Sequence, residues 1–351
     1  VASRVSIVIP AFNQLGYCRE CVESILVNTG FPYRLILVDN GSTDGVGEYF
    51  ESIATAIVVH TGENLGFPAG VNRGLAHADG HVLLLNSDTI VPRGWLTRLV
   101  AALESHPRIG AVGPMTNHVS GPQLIPGVEP GSMEAINRFA NERYASYRGQ
   151  LAEIDRLVGF CLLIRDEAFS TAGLFDESFG IGNFEDDDYC IRIRKAGYRV
   201  CVAEDCFVFH YGSRTFRAMG IHGNAYNDLI NRNEDIYRRK WGLTEGDTSH
   251  TEQIAAQLVG TGRDAAKAGA TAEALRAYTE AIATCPVYDP AYNDLGVLLW
   301  GIGKHERAYD CFARAALLNP DNADAVANLR DAADALGKPD SVDPAAPSTD
   351  R

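Results

Sequence analysis

Four short stretches of this chain gather side chains suited to a charged leaving group and a proton. The densest is Glu185-Asp186-Asp187-Asp188, between Phe184 and Tyr189. Acids in the first turn of a helix are favoured by the helix dipole, but four in succession exceed what capping requires. Crowded like charges raise one another's pKa, one way of preparing a general base. Asn86-Ser87-Asp88-Thr89 follows the apolar run Val82 to Leu85. Oxygens spaced by one residue there can face a hard divalent cation and its phosphate ligands, or form an Asx turn into the next helix. His210 ends Phe207-Val208-Phe209 and could complete a metal site, although a lone histidine serves structure as readily. Asp39-Asn40-Gly41-Ser42-Thr43-Asp44 closes another apolar run. Its first carboxylate can accept from a nucleobase N–H while Gly41 lets the backbone turn, or the segment simply caps a helix.

Two further features are weaker. Asn64-Leu65-Gly66-Phe67 and Gly70-Val71-Asn72-Arg73-Gly74 sit at a strand-to-helix junction, where free N–H groups and a positive helix end suit phosphate or ribose oxygens. The spacing matches neither a dinucleotide fingerprint nor a phosphate-binding loop. Cys18 and Cys21 have zinc-like spacing, but no second pair completes four ligands, so they read as reduced thiols on a helix spanning Gln14 to Val27.

These residues must be positioned by a scaffold, and the first ninety residues supply one. Strands are expected at Val5 to Ile9, Arg34 to Val38, Ile57 to Val59 and Val82 to Leu85. Helices are expected from Leu15 to Val27, around Val46 to Ile53, and from Pro68 to Ala78. Such alternation predicts an α/β fold with a mostly parallel sheet covered on both faces. Ligands then bind at the carboxyl ends of the strands, which places Pro10 to Asn13, Asp39 to Asp44 and Asn86 to Thr89 together. Further on, the pattern predicts a helix over Trp95 to Glu104, a strand at Ala111 to Val112, a loop over 116–131 and a buried strand over Val158 to Ile164. It then predicts a helix from Phe184 to Lys195 and short strands at Val200 to Val202 and Phe207 to Phe209.

After about residue 245 the sequence turns Ala-rich and helical. Ala274, Tyr278, Ala281 and Pro286 recur 34 residues later as Ala308, Phe312, Ala315 and Pro320, the tetratricopeptide period. Leu258 and Gly262 answer to Tyr292 and Gly296 in a weaker first unit, where Thr261 stands in the place of Leu295, and Ala323 to Leu336 reads as a capping helix. The expected organisation is a catalytic domain over 1–245, a linker over 246–254, helical repeats over 255–337 and a disordered tail over 338–351.

The chain has 351 residues, 46% of them hydrophobic and 22% charged, with a formal net charge of −14. A nucleic-acid binder would carry the opposite field, so no such partner is expected. No apolar run reaches the ~20 residues of a membrane span, and no signal peptide is read at the start. The expectation is a cytoplasmic protein, at most peripheral to a membrane.

Taken in order, these stretches resemble the family 2 glycosyltransferases of GT-A fold. Val5-Ser6-Ile7-Val8-Ile9-Pro10 with Asn13, and Leu37-Val38-Asp39 through Asp44, are similar to the family's nucleotide-binding opening. Asn64 through Gly74 and Leu84-Leu85-Asn86-Ser87-Asp88-Thr89 resemble the branch containing bacterial rhamnosyltransferases. Phe184 through Cys190 with Arg192 resembles the acidic catalytic helix, and His210-Tyr211-Gly212-Ser213 the late metal-side loop. The likeness spans roughly residues 4 to 217.

The resemblance implies roles position by position. Pro10, Phe12 and Asp39 hold the nucleobase and ribose, with Asn72, Arg73 and Asn86 nearby. Asp88 is the metal-binding acid of an Asp-x-Asp element whose first acid is Asn86 here, and His210 is a second ligand for Mg²⁺ or Mn²⁺. Asp186 is the catalytic base, with Glu185 and Asp188 orienting it and the acceptor. Gly159, Phe160 and Cys161 line the sugar or acceptor side. The implied activity is inverting transfer of a hexosyl group from a nucleoside-diphosphate sugar to a saccharide or polypeptide, with the repeats recruiting protein or forming a homodimer. A non-catalytic scaffold stands as one alternative. A sugar-nucleotide pyrophosphorylase is another, although Pro10-Ala11-Phe12-Asn13 lacks the Arg and Lys such an enzyme brings to its triphosphate.

Overall fold

The computed structural model describes residues 4–119, 122–125, 128, 131–212, 219, 224–243, 250–285 and 287–338. They divide into a first unit, Val1–His118 with Gly127–Leu243, and a second, Val119–Pro126 with Thr244–Arg351.

The first unit is built on an eight-stranded sheet. Its strands are β1 (Val5–Ala11), β2 (Tyr33–Asp39), β3 (Ala56–His60), β4 (His81–Leu85), β6 (Ile109–Met115), β7 (Leu151–Glu153), β8 (Cys161–Ile164) and β9 (Arg199–Phe207). The order is β3-β2-β1-β4-β8-β6-β9-β7, and a separate ribbon pairs β5 (Thr89–Ile90) with β10 (Phe209–His210). β1, β2, β3 and β4 run parallel, as do β6 and β9. β8 lies antiparallel between β4 and β6, so the sheet is mixed but mostly parallel. The strands bury uninterrupted apolar side chains such as Ile7, Leu37, Leu84 and Leu163, as expected where both faces are covered.

Helices α1 (Leu15–Asn28), α2 (Val46–Glu51), α3 (Phe67–Leu75), α4 (Trp95–Glu104), α5 (Met133–Tyr147), α6 (Asp166–Ala172), α7 (Glu185–Lys195) and α8 (Asn224–Trp241) complete this unit. The glycines of α3 are steric. A Cβ on Gly74 would come within 2.5 Å of Val8 and 2.8 Å of Val38, so the helix lies directly on β1 and β2.

Two departures from the expected elements matter. The run Val158 to Ile164 is extended only from Cys161, and Gly159 and Phe160 form a turn instead. The two short strands expected near 200 and 207 include one continuous strand, β9. Asp205 does not break it, because its carboxylate accepts the Gly149 N–H at 2.8 Å.

The second unit is helical: α9 (His250–Lys267), α10 (Thr271–Thr284), α11 (Asp289–Gly301), α12 (His305–Leu318) and α13 (Ala323–Leu336). α9 begins inside the span expected as linker. Within this unit one contact occurs twice. A Cβ on Gly262 would meet the Tyr278 ring at 2.5 Å, and one on Gly296 would meet the Phe312 ring at 2.5 Å. Pro286, Ser213 and the tail from 339 lie outside the described residues.

Candidate functional site

Three loops at the carboxyl ends of β1, β2 and β4 carry the expected site residues. The first two are stitched together. Ser42 Oγ accepts from the Asn13 N–H at 2.9 Å, Asn13 Oδ1 accepts from the Thr43 N–H at 2.8 Å, and Asp44 accepts from the Leu15 N–H at 2.9 Å. Asn13 and Gln14 are left-handed, with φ of 56° and 67°, a conformation that needs such support outside glycine. Pro10 is buried and Phe12 half-buried beside this junction. Asp39 is 8% exposed, and its Oδ1 accepts the Ser42 N–H at 2.9 Å. Gly41 is obligatory, because at φ 81° a Cβ would come within 2.5 Å of Glu63 backbone.

At the end of β4, Asp88 Oδ1 lies 3.2 Å from His210 Nε2. β5 and β10 bring the two together, since His210 is the register partner of Thr89. Asn117 fixes the His210 main chain, donating to its carbonyl at 3.0 Å and accepting its N–H at 2.9 Å. The imidazole Nδ1 lies 2.8 Å from the His118 carbonyl, an acceptor only, so Nδ1 carries the proton. Nε2 is buried and faces the Asp88 carboxylate. A metal-binding histidine commonly shows this arrangement, one nitrogen tied to a carbonyl and the other turned to the ion. Burial opposes charge on His210, but Asp88 and the His118 carbonyl outweigh it and raise its pKa. The point between the two side chains therefore attracts positive charge, and the donor set fits a divalent cation. Among the described residues no group of three or more His, Cys, Asp or Glu gathers to hold a metal, so the pair offers two ligands. Asn86 contributes its backbone here, its N–H donating to the Phe160 carbonyl at 2.8 Å.

The turn at Gly159 and Phe160 links this pair to the acidic helix. The Phe160 ring stacks on His210, with centroids 5.1 Å apart. The Gly159 N–H donates to Asp186 Oδ2 at 2.9 Å, and Asp186 Oδ1 accepts the Asp187 N–H at 3.0 Å. Cys161 continues into β8 as a fully buried thiol, pushed well up by burial. An unbroken run of contacts thus joins Asp88, His210, Phe160, Gly159 and Asp186.

The four acids of α7 occupy different surroundings. Glu185 is buried, and its Oε2 makes no hydrogen bond. Burial, then the neighbouring Asp186 charge, raises its pKa well above the usual carboxylate range. Asp187 pairs with Arg156 at 2.8 Å. Asp188 has no exposed side-chain surface. It receives Arg192 at 2.9 Å, Trp241 Nε1 at 3.1 Å and Lys240 at 2.8 Å. Its expected part in orienting an acceptor gives way to anchoring α7 onto α8, because every approach to its oxygens is filled. α8 grips the helix entrance as well. The buried Asn233 donates to the carbonyls of Phe179, Gly182 and Asn183. These bonds hold Asn183 and Phe184 at φ of 77° and 71°, a strained entry for so bulky a side chain.

Asn72 also takes a different place from the one expected. Its amide donates to the Phe175 carbonyl and Glu177 and accepts the Phe175 N–H, each at 2.9 Å. It clamps the segment leading to α7, while Arg73 beside it is exposed. Nor is the start of α3 open to phosphate. The Phe67 N–H donates to the Ile181 carbonyl, and a Cβ on Gly66 would come within 2.0 Å of the Gly180 carbonyl oxygen. Cys18 and Cys21 are buried thiols pushed up to about 12 by burial, and their sulfurs face the Asn13 and Asn86 carbonyls.

Sequence reasoning missed Asn117, Arg156, Asn233, Lys240 and Trp241. They act by hydrogen bonds or charge across long chain separations, which no local sequence pattern marks. It also missed His60, whose Nδ1 lies 3.0 Å from Asp39 Oδ2 and whose Nε2 lies 2.8 Å from Glu51.

Comparison with known proteins adds the family context. Residues 6–172 match the family described as Glycosyl transferase family 2. The chain is 30% identical over 256 residues to an N-acetylglucosaminyl-diphospho-decaprenol L-rhamnosyltransferase of Mycobacterium tuberculosis, covering 63% of this chain and 83% of that protein. It is 27% identical over 237 residues to an O-antigen biosynthesis protein of Myxococcus xanthus, covering 62% of this chain and 18% of the other. A mannosyltransferase of Pyrobaculum calidifontis, solved in complex with GDP-Man and Mn²⁺, matches with TM-score 0.50 at 19% identity, covering 97% of this chain and 82% of that one. The likeness to that structure is one of fold: the sheet of the first unit has the GT-A arrangement. No described helix is long and apolar enough to cross a membrane.

Proposed function

The chain belongs to glycosyltransferase family 2, and on that premise we propose that it is an inverting, metal-dependent enzyme. It takes a sugar from a nucleoside-diphosphate donor and passes it to a hydroxyl of a saccharide or polypeptide. The observation that carries this reading is the continuous contact from Asp88 and His210 through Phe160 and Gly159 to Asp186. It sets a cation-attracting pair and a hydrogen-bonded carboxylate on two sides of one turn.

The residues divide the work. Asp39, Pro10 and Phe12 receive the base and ribose at the ends of β1 and β2. Asp88 and His210 Nε2 hold Mg²⁺ or Mn²⁺, which when bound neutralises charge developing on the departing diphosphate. Asp186, oriented by the Gly159 and Asp187 N–H groups, takes the acceptor proton as the hydroxyl attacks. Direct displacement inverts the anomeric centre and needs no covalent intermediate. Glu185, whose pKa burial and the Asp186 charge raise, lines the same helix start. The Mycobacterium relative makes an activated L-rhamnose the first donor to try. The repeated glycine–aromatic contact supports a tetratricopeptide-type second unit, one that recruits a polypeptide or pairs two copies.

The test is a panel of nucleotide sugars with Mg²⁺ or Mn²⁺, followed by slow donor hydrolysis and protection against heating. One donor should respond, and only with metal. In Asp186→Asn, transfer should fall by roughly 10³-fold, the middle of the range for general-base effects, while nucleotide affinity stays within about twofold, since a group acting only in the transition state leaves binding alone. Near-normal turnover would remove Asp186 from its role. No nucleoside diphosphate binding in the presence of metal would favour a scaffold.

A further inference from the structure

Behind Asp39 lies an ionisable network that the transfer chemistry does not use. His60, the last residue of β3, is the register partner of Asp39 on β2. Its two ring nitrogens face two carboxylates, Asp39 Oδ2 at 3.0 Å and Glu51 Oε1 at 2.8 Å. The other Asp39 oxygen accepts the Ser42 N–H. A Cβ on Gly47 would come within 2.8 Å of Asp39 Oδ2 and 3.4 Å of His60 Cε1, so the α2 backbone packs directly against the Asp39–His60 contact. Asp39 therefore cannot swing away from its position.

A neutral imidazole donates from one nitrogen only, so two carboxylate partners are both satisfied only by the imidazolium. Asp39 of β2 and Glu51 of α2 are the charged groups that face His60. Their hydrogen bonds, that of Glu51 foremost, raise its pKa.

We propose that His60 is a positioning residue for base recognition, holding Asp39 as an acceptor-only carboxylate that selects nucleoside diphosphates whose base presents a ring N–H beside a carbonyl. Uracil, thymine and guanine meet that requirement. Adenine and cytosine present a ring nitrogen that is itself an acceptor. The proposal rests on the nucleotide-binding role of Asp39 given above.

Calorimetric titration with UDP, dTDP, GDP, ADP and CDP, each with Mg²⁺, tests it on the full chain, on His60→Ala and on Glu51→Gln. At pH 6.5 the unmodified protein should bind one of UDP, dTDP or GDP at least about tenfold tighter than ADP or CDP, one well-made hydrogen bond's worth of selectivity. His60→Ala should narrow that preference to within about threefold, mainly by weakening the favoured ligand. Glu51→Gln, an exposed change, should narrow it partway and guards against misfolding of the first variant. In the unmodified protein the preference should fade as pH rises and the imidazolium is lost. In His60→Ala it should be flat with pH, a response that bulk support of the fold would not produce. A preference for ADP or CDP, or an unchanged preference and pH profile in both variants, would overturn the role of His60 alone. Failure to bind any of the five would remove the glycosyltransferase reading, and this inference with it.

Discussion

Two polar regions of the first unit, close in sequence style, differ in how their atoms are satisfied. Around Asn40, Asn64, Gly66 and Asn72, hydrogen bonding is met from within. Asn40 donates to Asn64 and Gly66, Asn64 accepts the Gly66 N–H, and Asn72 closes on Phe175 and Glu177. Around Asp88, His210 and Glu185, the buried Glu185 Oε2 makes no hydrogen bond, and the buried His210 Nε2 faces the Asp88 carboxylate at 3.2 Å. Buried polar atoms are normally paired, so a native fold tolerates such exceptions where a ligand or a proton completes them. The first region is a frame. The second is the proposed site. Substitutions should separate them, the frame losing stability and the site losing activity.

The sharpest separation is at the metal pair. Asp88→Asn or His210→Ala should lower metal-dependent transfer by about 10²–10³-fold, several kcal/mol of charge stabilisation. Melting of the metal-free protein should change little. Asn117→Ala, which releases the His210 backbone, should give a smaller loss of about tenfold in metal affinity. Equal loss of activity and stability in all three would place this region in the frame.

Glu185 tests the distinction from another side. Its folded pKa is raised by burial and by Asp186, so the native state keeps a proton that the unfolded chain releases above about pH 4.3. Stability from this group is thus lost as pH rises from that point toward the folded pKa, at up to ~1.4 kcal/mol per pH unit. Glu185→Gln fixes the neutral form, and its melting temperature relative to the unmodified protein should rise more at pH 8 than at pH 5. A gain that is the same at both pH values would show Glu185 ionised in the fold.

On the frame side, Asn72→Ala should cost about 2–4 kcal/mol, because it leaves the Phe175 N–H and carbonyl without their partner. Melting should drop while nucleotide affinity holds within about twofold, since no bond to a ligand is being removed. A tenfold loss of affinity at unchanged melting would return Asn72 to the nucleotide.

The distribution of what the sequence revealed follows from the same physics. β1, β2 and β4 were legible as short continuous apolar runs closed by turn residues, and α4 and α13 because apolar residues repeat along them with the helical period. α5 and α8 were not read, because Asn, Arg and Glu dilute the apolar positions along them. Asp88 and His210 drew notice as polar residues closing apolar strands, and Asp186 as one of four successive acids at a helix start; their roles are those proposed above. Asp188 was misread because neighbours in a helix point about 100° apart, so adjacent acids meet different surroundings. Gly70 and Gly74 resembled a phosphate cradle, yet a glycine that admits a ligand and one that admits a strand are the same letter. Asn233 and His60 act through partners as far as 54 and 21 residues away, which no local pattern encodes.

The smallest effect on chemistry belongs to the second unit. Gly262 and Gly296 sit against the Tyr278 and Phe312 rings, each at 2.5 Å from an added Cβ. Alanine favours a helix over glycine by about 1 kcal/mol, so on propensity alone both Gly→Ala changes would stabilise. Both rings are 3% exposed and packed among Ala274 and Ala281, or Ala308 and Leu329, which leaves them no room to retreat. Overpacking of this kind costs about 1–3 kcal/mol and should outweigh the propensity gain. If the two helix pairs are true repeats, Gly262→Ala and Gly296→Ala should loosen amide exchange to a similar degree, each in its own pair, while donor hydrolysis keeps its rate. A large cost at one glycine and a gain at the other would show two unrelated hairpins that share a spacing by chance.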